Sequence, residues 1–273
     1  MGAQTRTHQN MLKQVTPLIL TYNEAPNLRR TLERLAWAKE IVIVDSFSTD
    51  ETPAIAREFP QVRVVPRKFD THTQQWNFGI GQTGTPWVMS LDADYVLPAT
   101  VAGELEALSP GEKLTAYFGK FRYCIWGRPL RGTLYPPRAV LFRKDRCQYV
   151  QDGHTQQLQI NGQTGRLDSV IDHDDRKPLA HWFWAQDRYA TLEAAKLAGT
   201  SADQLTLPDK LRRKMIVAPF LVFFYTLLVK GLILDGWPGW FYVFQRTLAE
   251  IMLSLRLLEN KLAATSGKKG TTN

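Results

Sequence analysis

Short apolar runs alternate with amphipathic helical segments along the N-terminal part of the chain. Four runs rich in β-branched and large apolar residues predict strands: VTPLIL (15–20), EIVIVD (40–45), VRVVP (62–66) and PWVMSLDAD (86–94). Helices are predicted at 23–38, 48–59, 73–83 and 100–108. In the first of these, leucines recur with helical spacing at Leu28, Leu32 and Leu35. Strands and helices that alternate at this spacing predict a parallel, Rossmann-like sheet.

The pattern changes after this alternating part. The runs AYFGKFRYCIW (116–126) and RAVLFRK (138–144) predict antiparallel or edge strands, with turn signals between them. The stretch NGQTG (161–165) predicts a turn, and LAHWFWAQDRYATLEAAKLA (179–198) predicts a helix. A mixed sheet is therefore expected, with its parallel part at the N-terminal end.

A long apolar stretch lies near the C-terminus. MIVAPFLVFFYTLLV (215–229) carries no charge, and it follows the basic cluster KLRRK (210–214). It is shorter than the roughly 20 residues that a membrane-spanning helix needs. GLILDGWPGWFYVF (231–244) adds two tryptophans, and apolar segments with basic flanks and tryptophan suit a helix in the membrane interface. A buried helix pair or a dimer interface would give the same pattern.

Composition narrows the range of partners. The chain is 44% hydrophobic and 22% charged, so it can bury a sizeable core. Its net charge of +8 favours anionic partners such as nucleotide phosphates, nucleic acid or acidic lipid. Cys124 and Cys147 lack metal-ligand spacing, which suits a reducing compartment. The polar start MGAQTRTHQN does not resemble a signal peptide, so a cytoplasmic location is expected.

Acidic residues follow two of the predicted strands. Asp45 ends the second, and Asp92 and Asp94 end the fourth. Ligands of open α/β sheets bind beyond the carboxyl ends of the strands. Residues i and i+2 of a strand point to the same side, so Asp92 and Asp94 would converge on one hard cation. Taken alone, the D-x-D spacing fits a turn or a helix cap equally well.

Four motifs that follow one another along the chain favour a cation site over a turn or helix cap. LTYNE (20–24), IVIVDSFSTDET (41–52), QQWNFG (74–79) and WVMSLDAD (87–94) together resemble the inverting glycosyltransferases of family 2, which have the GT-A fold. DGHTQ (152–156), HDDRK (173–177), AQDRYATLEAA (185–195) and the C-terminal GLILDGWPGWFYVF are similar to the branch that includes lipopolysaccharide core β-1,4-glucosyltransferases.

The resemblance implies a nucleotide-sugar site above the first four strands. Tyr22 and Glu24 would lie near the base, and Asp45 would contact uracil or ribose. Gln75 and Asn77 would help to close the nucleotide pocket. UDP is the nucleotide that the family favours.

The same resemblance assigns the metal and the diphosphate. Asp94 would ligate Mg²⁺ or Mn²⁺ directly, and Asp92 would lie near the ribose and the metal shell. The metal would neutralise the leaving diphosphate. Arg176 of HDDRK would bind the diphosphate or, on its own spacing, would simply precede the helix after Pro178.

The acceptor side departs from the family pattern. The related core transferases have His-Glu where this chain has His154 followed by Thr155, and that Glu is taken as the base. The nearest carboxylate is Asp152, which becomes the candidate base, and His154 is the alternative. A base in DHDDR (172–176) also remains open.

These observations define the expected protein. A flexible N-terminus (1–14) precedes a GT-A catalytic domain (15–205), with a nucleotide-binding half (15–100) and an acceptor half (101–205). Amphipathic membrane-associating helices (206–262) and a disordered tail (263–273) follow. The expected activity is metal-dependent, inverting transfer of one hexose from a nucleotide-sugar to a lipid-linked or lipopolysaccharide-core glycan, at the inner face of the cell membrane. No nucleic acid partner is expected.

Two other functions fit parts of the pattern. A sugar nucleotidyltransferase also uses such a sheet and a metal, but it usually carries a glycine-rich loop after the first strand. LTYNEAPN (20–27) has no glycine there. A non-catalytic, membrane-associated scaffold on the same fold is supported only by the altered GHT stretch (153–155), and Asp45, Asp92 and Asp94 oppose it.

Overall fold

The structure is a computed structural model, and it describes residues 11–109, 111, 113–152 and 155–269. The chain divides into two compact units. Unit 1 contains the residues up to Pro129, together with Tyr135–Gln151 and Gln156–Arg176. Unit 2 contains Leu130–Leu134, Asp152–Thr155 and the chain from Lys177 onward. The unit boundary after Arg176 comes earlier than the domain end expected at 205, because the helix that follows packs with the C-terminal helices.

The four predicted N-terminal strands form the parallel part of the sheet in unit 1. They are β1 (Val15–Thr21), β2 (Ile41–Asp45), β3 (Val62–Pro66) and β4 (Trp87–Asp92), in the order β3-β2-β1-β4. All three pairings are parallel. β2 is buried at every position, as expected for a strand covered on both faces.

Four helices accompany these strands. They are α1 (Ala25–Glu33), α2 (Thr52–Arg57), α3 (His72–Gln82) and α4 (Val101–Ala107). α1 and α2 are shorter than predicted, and both begin with a proline in the first turn, where its missing N–H costs nothing. Gly79 allows α3 to approach β1 closely, since a Cβ there would lie 2.7 Å from Leu18 Cδ1.

The second half of unit 1 makes the sheet mixed. It adds β5 (Tyr95–Val96), β6 (Leu114–Ile125), β7 (Arg128–Pro129), β8 (Arg138–Arg143) and β11 (Gln163–His173). The order continues β4-β8-β6-β11-β5, and β7 pairs with β6. β8 runs antiparallel to both β4 and β6, as predicted, while β11 and β6 are parallel. β9 (Cys147–Asp152) and β10 (Thr155–Ile160) form a separate two-stranded sheet.

The turn predicted over NGQTG is too long. Only Asn161 and Gly162 lie outside strands, and β11 begins at Gln163. Gly162 has φ +144°, and a Cβ there would meet the side chain of Thr115. β11 lacks an apolar run because most of its positions are exposed or half-buried, with only Leu167 and Ile171 buried.

Unit 2 is helical. Its helices are α5 (Leu179–Gly199), α6 (Leu207–Arg212), α7 (Val217–Phe224) and α8 (Gly236–Lys269). A π-helical turn, Tyr225–Val229, extends α7, and a 3-10 turn, Leu232–Asp235, leads into α8. The core of the unit consists of apolar side chains from α5, α8 and the segment between α5 and α6: Ala190, Ala194, Leu197, Leu205 and Leu253.

Both ends of the described chain are more ordered than the sequence suggested. Met11–Gln14 form a 3-10 turn in which Met11 is buried, within the segment 1–14 that was expected to be flexible. α8 continues to Lys269, into the range 263–273 expected to be disordered. Ala263 and Ala264 favour this continuation because alanine has the highest helix propensity.

No single helix among the described residues is long and apolar enough to cross a membrane. The segments Val217–Val229 and Leu232–Thr265 meet the length and composition test only as a pair, and the pair is bent by 66°. The bend lies at Gly231, whose φ of 71° suits glycine.

Candidate active site

The carboxyl ends of the parallel strands bring the predicted acidic residues to one edge of the sheet. Thr21 at the end of β1 lies opposite Asp45 at the end of β2. On the other side of β1, Leu20 lies opposite Asp92 at the end of β4. The sheet therefore places Asp45 and Asp92 on either side of one central strand, as the sequence predicted.

Asp45 is buried and rigidly held. Its Oδ1 accepts hydrogen bonds from Thr21 Oγ1 (2.7 Å) and Ser48 Oγ (2.6 Å), and its Oδ2 accepts one from the Ser48 amide (2.9 Å). The Asn23 amide donates in turn to Ser48 Oγ (2.9 Å), which ties the loop after β1 to the loop after β2. The carboxylate of Asp45 is thus fixed in place before any ligand binds.

The loops that border Asp45 adopt unusual backbone conformations. Asn23 and Phe47 have positive φ values of 54° and 60°. Non-glycine residues rarely occupy this region unless surrounding contacts hold them there. For Asn23 the contact is a hydrogen bond from the Thr49 amide to its Oδ1 (2.8 Å). Tyr22, beside it, is 45% exposed and so is available to a base, and the Glu24 carboxylate accepts from Asn27 Nδ2 (3.0 Å).

Gln75 and Asn77, predicted to close the nucleotide pocket, use their amides within the protein. Gln75 is buried, donates to Ser46 Oγ (3.0 Å) and accepts from Arg67. Asn77 donates to the carbonyl of Tyr149 (2.9 Å) and accepts from the Tyr149 amide (3.0 Å), so it joins α3 to β9. Their direct contact with a nucleotide stays a prediction.

Asp94 has a partner that the sequence did not reveal. His173, the last residue of β11, places Nε2 3.2 Å from Asp94 Oδ2. Both side chains are largely buried, and the Nδ1 atom of His173 has no hydrogen-bonding partner in the described part of the chain. Burial acts to lower the pKa of His173, but the attraction of Asp94 and Asp92 exceeds it and raises that pKa. The structure thus brings an imidazole to the D-x-D motif.

Three tyrosine rings enclose His173. The rings of Tyr95, Tyr123 and Tyr135 have their centroids 5.3, 4.7 and 4.6 Å from the imidazole. The hydroxyls of Tyr95 and Tyr135 hydrogen-bond to each other, and burial raises the pKa of both phenols. These phenols therefore stay neutral, and the rings fix the orientation of His173.

Asp174 anchors the predicted Arg176. Its Oδ2 accepts from Arg30 (2.7 Å) and Arg176 (3.0 Å to Nε), and its Oδ1 accepts from the Gly127 amide (2.9 Å). The Asp174 amide donates to the carbonyl of Asp94 (3.1 Å). Arg176 is therefore held near the D-x-D motif. Its contact with a diphosphate stays a prediction.

Of the two candidate bases, only Asp152 is described by the structure. His154 lies outside the described residues. Asp152 belongs to unit 2, where its Oδ1 lies 2.9 Å from Nζ of Lys196. The role of Asp152 as the base stays a prediction.

The donor atoms near the D-x-D motif suit a hard divalent cation. Asp94, Asp92 and His173 offer carboxylate oxygens and an imidazole nitrogen, which Mg²⁺ and Mn²⁺ accept. Among the described residues, however, no group of three or more His, Cys, Asp or Glu side chains is close enough to hold a metal by itself. This arrangement fits a cation that completes its coordination with substrate phosphates and water.

Comparison with known proteins decides the family. The model of glycosyl transferase family 2 matches residues 18–164 of the chain. The chain belongs to this family. Its fold is accordingly the GT-A fold that the sequence motifs implied. The match covers β2 and β4, which end at Asp45 and Asp92, and the turn after β4 that holds Asp94, where the sequence had predicted a continued strand.

The relatives are distant. An uncharacterized glycosyltransferase of Rickettsia bellii is 27% identical over 199 residues, which cover 71% of this chain and 63% of that protein. The lipopolysaccharide core biosynthesis glycosyltransferase LpsC of Rhizobium meliloti is 32% identical over 84 residues, covering 29% of this chain and 31% of that protein. The chain thus spans less than two thirds of the length of these curated relatives.

Solved structures give a weaker likeness. S. aureus TarS 1–349 in complex with UDP-GlcNAc matches with a TM-score of 0.46 and 11% identity, over 87% of this chain and 90% of that one. The glucosyl-3-phosphoglycerate synthase of Mycobacterium tuberculosis, in complex with Mn²⁺, UDP and glucosyl-3-phosphoglycerate, matches with a TM-score of 0.40 and 13% identity, over 68% of this chain and 79% of that one.

Proposed function

We propose that the protein is an inverting glycosyltransferase that moves one hexose from a UDP-sugar to a lipid-linked or lipopolysaccharide-core glycan. The observation that carries this proposal is the sheet edge where the fixed Asp45 and Asp92 lie on either side of β1 and Asp94 pairs with His173. The local similarity to LpsC supports the choice of a glycan acceptor of the lipopolysaccharide type. Family membership supports the activity.

Each residue of the edge has a part in this proposal. Asp45 would accept hydrogen bonds from uracil or ribose, for which its fixed carboxylate is preorganised. Tyr22, which is exposed, would cover the base. Asp94, with Asp92 and His173 beside it, would hold Mg²⁺ or Mn²⁺. When bound, that ion would supply positive charge that stabilises the leaving diphosphate.

The acceptor hydroxyl requires a proton acceptor from this chain. Direct displacement needs a base within hydrogen-bonding reach of the hydroxyl, and it inverts the anomeric carbon without a covalent enzyme intermediate. Asp152 is the proposed base, with His154 as the alternative. Asp152→Asn and His154→Gln would each be compared for the rate of sugar transfer, and the base is the residue whose loss abolishes transfer while UDP binding persists.

A donor screen tests the proposed function. Purified protein is incubated with a panel of nucleotide sugars, Mn²⁺ or Mg²⁺ and bacterial lipid extract, and released UDP is measured. We expect UDP release from at least one UDP-hexose and its increase when extract is present. A parallel incubation contains UTP and a sugar phosphate in place of the nucleotide sugars, and release of pyrophosphate there would instead indicate a nucleotidyltransferase. Absence of both products with every donor and metal would refute an enzymatic function and favour the scaffold.

We further propose that unit 2 attaches the protein to the inner face of the cell membrane. Large apolar side chains are exposed on α7, its π-helical extension, the turn before α8 and the first turn of α8: Phe220 (64%), Phe224 (54%), Leu228 (57%), Val229 (72%), Leu234 (67%) and Trp237 (86%). Soluble surfaces rarely expose so many neighbouring apolar side chains. An interfacial amphipathic segment does so, and it would lie in the headgroup region.

Charge on this surface suits an anionic membrane. Asp235 is the only acidic residue between Met215 and Ala249. It forms an ion pair with Arg131, whose Nε lies 2.9 Å from Oδ1 of Asp235. In the cluster 210–214, Lys210 and Lys214 are exposed. Arg212, by contrast, bonds to Glu250, and Arg213 bonds to the carbonyl of Leu197, so only part of the predicted basic cluster is available to lipid.

A single substitution tests the attachment. We expect Trp237→Glu to weaken binding to anionic vesicles about tenfold, because it removes a large apolar side chain and adds a repelled charge. Flotation with vesicles rich in phosphatidylglycerol measures this. Trp184→Glu is the matched control, since Trp184 is also exposed (48%) but lies on α5. Equal flotation of Trp237→Glu and wild type would refute the proposed surface.

A further inference from the structure

Arg138 is a half-buried cation beside the D-x-D motif that the sequence motifs do not include. It begins β8, which pairs with β4 in the register Trp87↔Arg143, Val88↔Phe142 and Met89↔Leu141. This pairing ends at Leu141, and β8 has a bulge at Val140. Arg138 nevertheless lies near the motif, because it stacks on Tyr135, whose ring contacts His173, the partner of Asp94. The electrostatic attraction of Asp92 on Arg138 agrees with this placement. Arg138 therefore lies one aromatic ring away from the Asp94–His173 pair.

The guanidinium of Arg138 lacks a hydrogen-bonded counter-ion. Its Cζ stacks 4.8 Å from the centroid of the Tyr135 ring. Within the described part of the chain, no hydrogen bond or ion pair joins the guanidinium to Asp92 or to any other residue. A guanidinium has five N–H donors, and those of Arg138 are therefore available to the acceptor oxygens of a ligand.

The neighbouring phenols cannot supply the missing negative charge. The Tyr149 hydroxyl donates to Ser90 Oγ (2.9 Å), and those of Tyr95 and Tyr135 bond to each other. Burial raises the pKa of all three phenols, so they are neutral. Of Asp92 and the three tyrosines, only Asp92 is negatively charged and attracts Arg138. A bound ribose or cation would compete with Arg138 for the Asp92 carboxylate.

We propose that Arg138 binds the diphosphate of the nucleotide donor. Its planar fork matches two phosphate oxygens, and Tyr135 holds that fork in orientation. The proposal rests on the proposed nucleotide-sugar function and adds a residue to its diphosphate site. In this arrangement Arg138 supplies a fixed positive charge on the β8 side of Asp92, while Asp94 and His173 lie toward β11.

Titration calorimetry with UDP and with uridine, both in Mn²⁺ buffer, tests this role. We expect Arg138→Gln to weaken UDP binding about tenfold or more, since a hydrogen bond to a charged group is lost, and to leave uridine binding unchanged. Arg138→Lys keeps the charge without the fork and should have an intermediate UDP affinity. Arg143→Gln is the matched control, because Arg143 ends the same strand and pairs with Asp145.

The possible outcomes separate the two proposals. Failure of the wild-type protein to bind UDP would count against the proposed function itself. Wild-type UDP binding with equal affinity in Arg138→Gln would overturn the role of Arg138 alone. A proportional loss of UDP and uridine affinity in both Arg138 variants would also overturn it, because that result marks a structural effect on the whole pocket.

Discussion

Asp94→Ala should reduce UDP release by about 100- to 1,000-fold, since this is the typical cost of removing one preorganised electrostatic contact to a leaving group. The Asp94 side chain is buried in the turn after β4, and its Oδ2 lies 3.2 Å from Nε2 of His173. It is the residue that the family resemblance assigns to the cation, and the structure places it beside His173. UDP release under saturating donor and Mn²⁺ measures the effect.

The fold should tolerate this change. The backbone carbonyl of Asp94 accepts from the Asp174 amide, and the carbonyl of Ala93 accepts from Thr31 Oγ1, so the local backbone is held without the carboxylate. Circular dichroism melting of Asp94→Ala would confirm this. Asp168→Asn is the control, because Asp168 is exposed on β11. If Asp94→Ala kept more than about a tenth of wild-type activity, Asp94 would not be the principal ligand.

Strands that are buried on both faces were the easiest to predict from the sequence. β2 and β4 consist of nearly continuous apolar residues, and each ends in aspartate, so both the strands and the acidic edge were recognisable. A central parallel strand has no solvent-facing side, and its sequence is therefore distinctive. The boundaries of α1 and α2 were less well predicted because the polar residues that precede them suit either a loop or a first turn.

The missed residues lie on strands with an exposed face. β11 mixes polar and apolar residues and follows a glycine at positive φ, so a turn was predicted where the strand begins. The sequence did not reveal the contact between His173 and Asp94, because these two residues are far apart in the chain. The strand pairing of β11 with β5 brings them together, with His173 opposite Tyr95. Arg138 was missed for a similar reason, because only its contact with Tyr135, whose ring meets His173, shows that it lies near the D-x-D motif.

The acidic residues of HDDRK illustrate the difference between composition and position. Asp174 and Asp175 both directly precede Arg176 in the sequence, so either carboxylate could orient it. In the structure Asp174 holds Arg176 and Arg30, while Asp175 accepts from Asn27 Nδ2 (2.8 Å). Two adjacent carboxylates thus serve different partners because the backbone after β11 turns their side chains apart.

Asp174→Ala should lower the free energy of unfolding by about 3 kcal/mol, since removal of one partner from a buried ion pair leaves the other charge uncompensated. The Asp174 side chain is only 4% exposed and accepts from two arginines and the Gly127 amide. Burial lowers the pKa of Arg30 even beside this carboxylate, so Arg30 is already desolvated. Its Nε is buried without a hydrogen-bonding partner among the described residues.

Urea unfolding measures the effect, with the Glu58→Ala variant as control. Glu58 pairs with Arg29, which neighbours Arg30 on α1, at 2.6 Å, but both side chains of that pair are about half exposed. Because solvent screens such a pair, its loss should change the urea midpoint far less than the loss of Asp174. Equal midpoints for Asp174→Ala and wild type would mean that Arg30 and Arg176 find water or another acceptor. Asp174 would then position Arg176 without stabilising the fold.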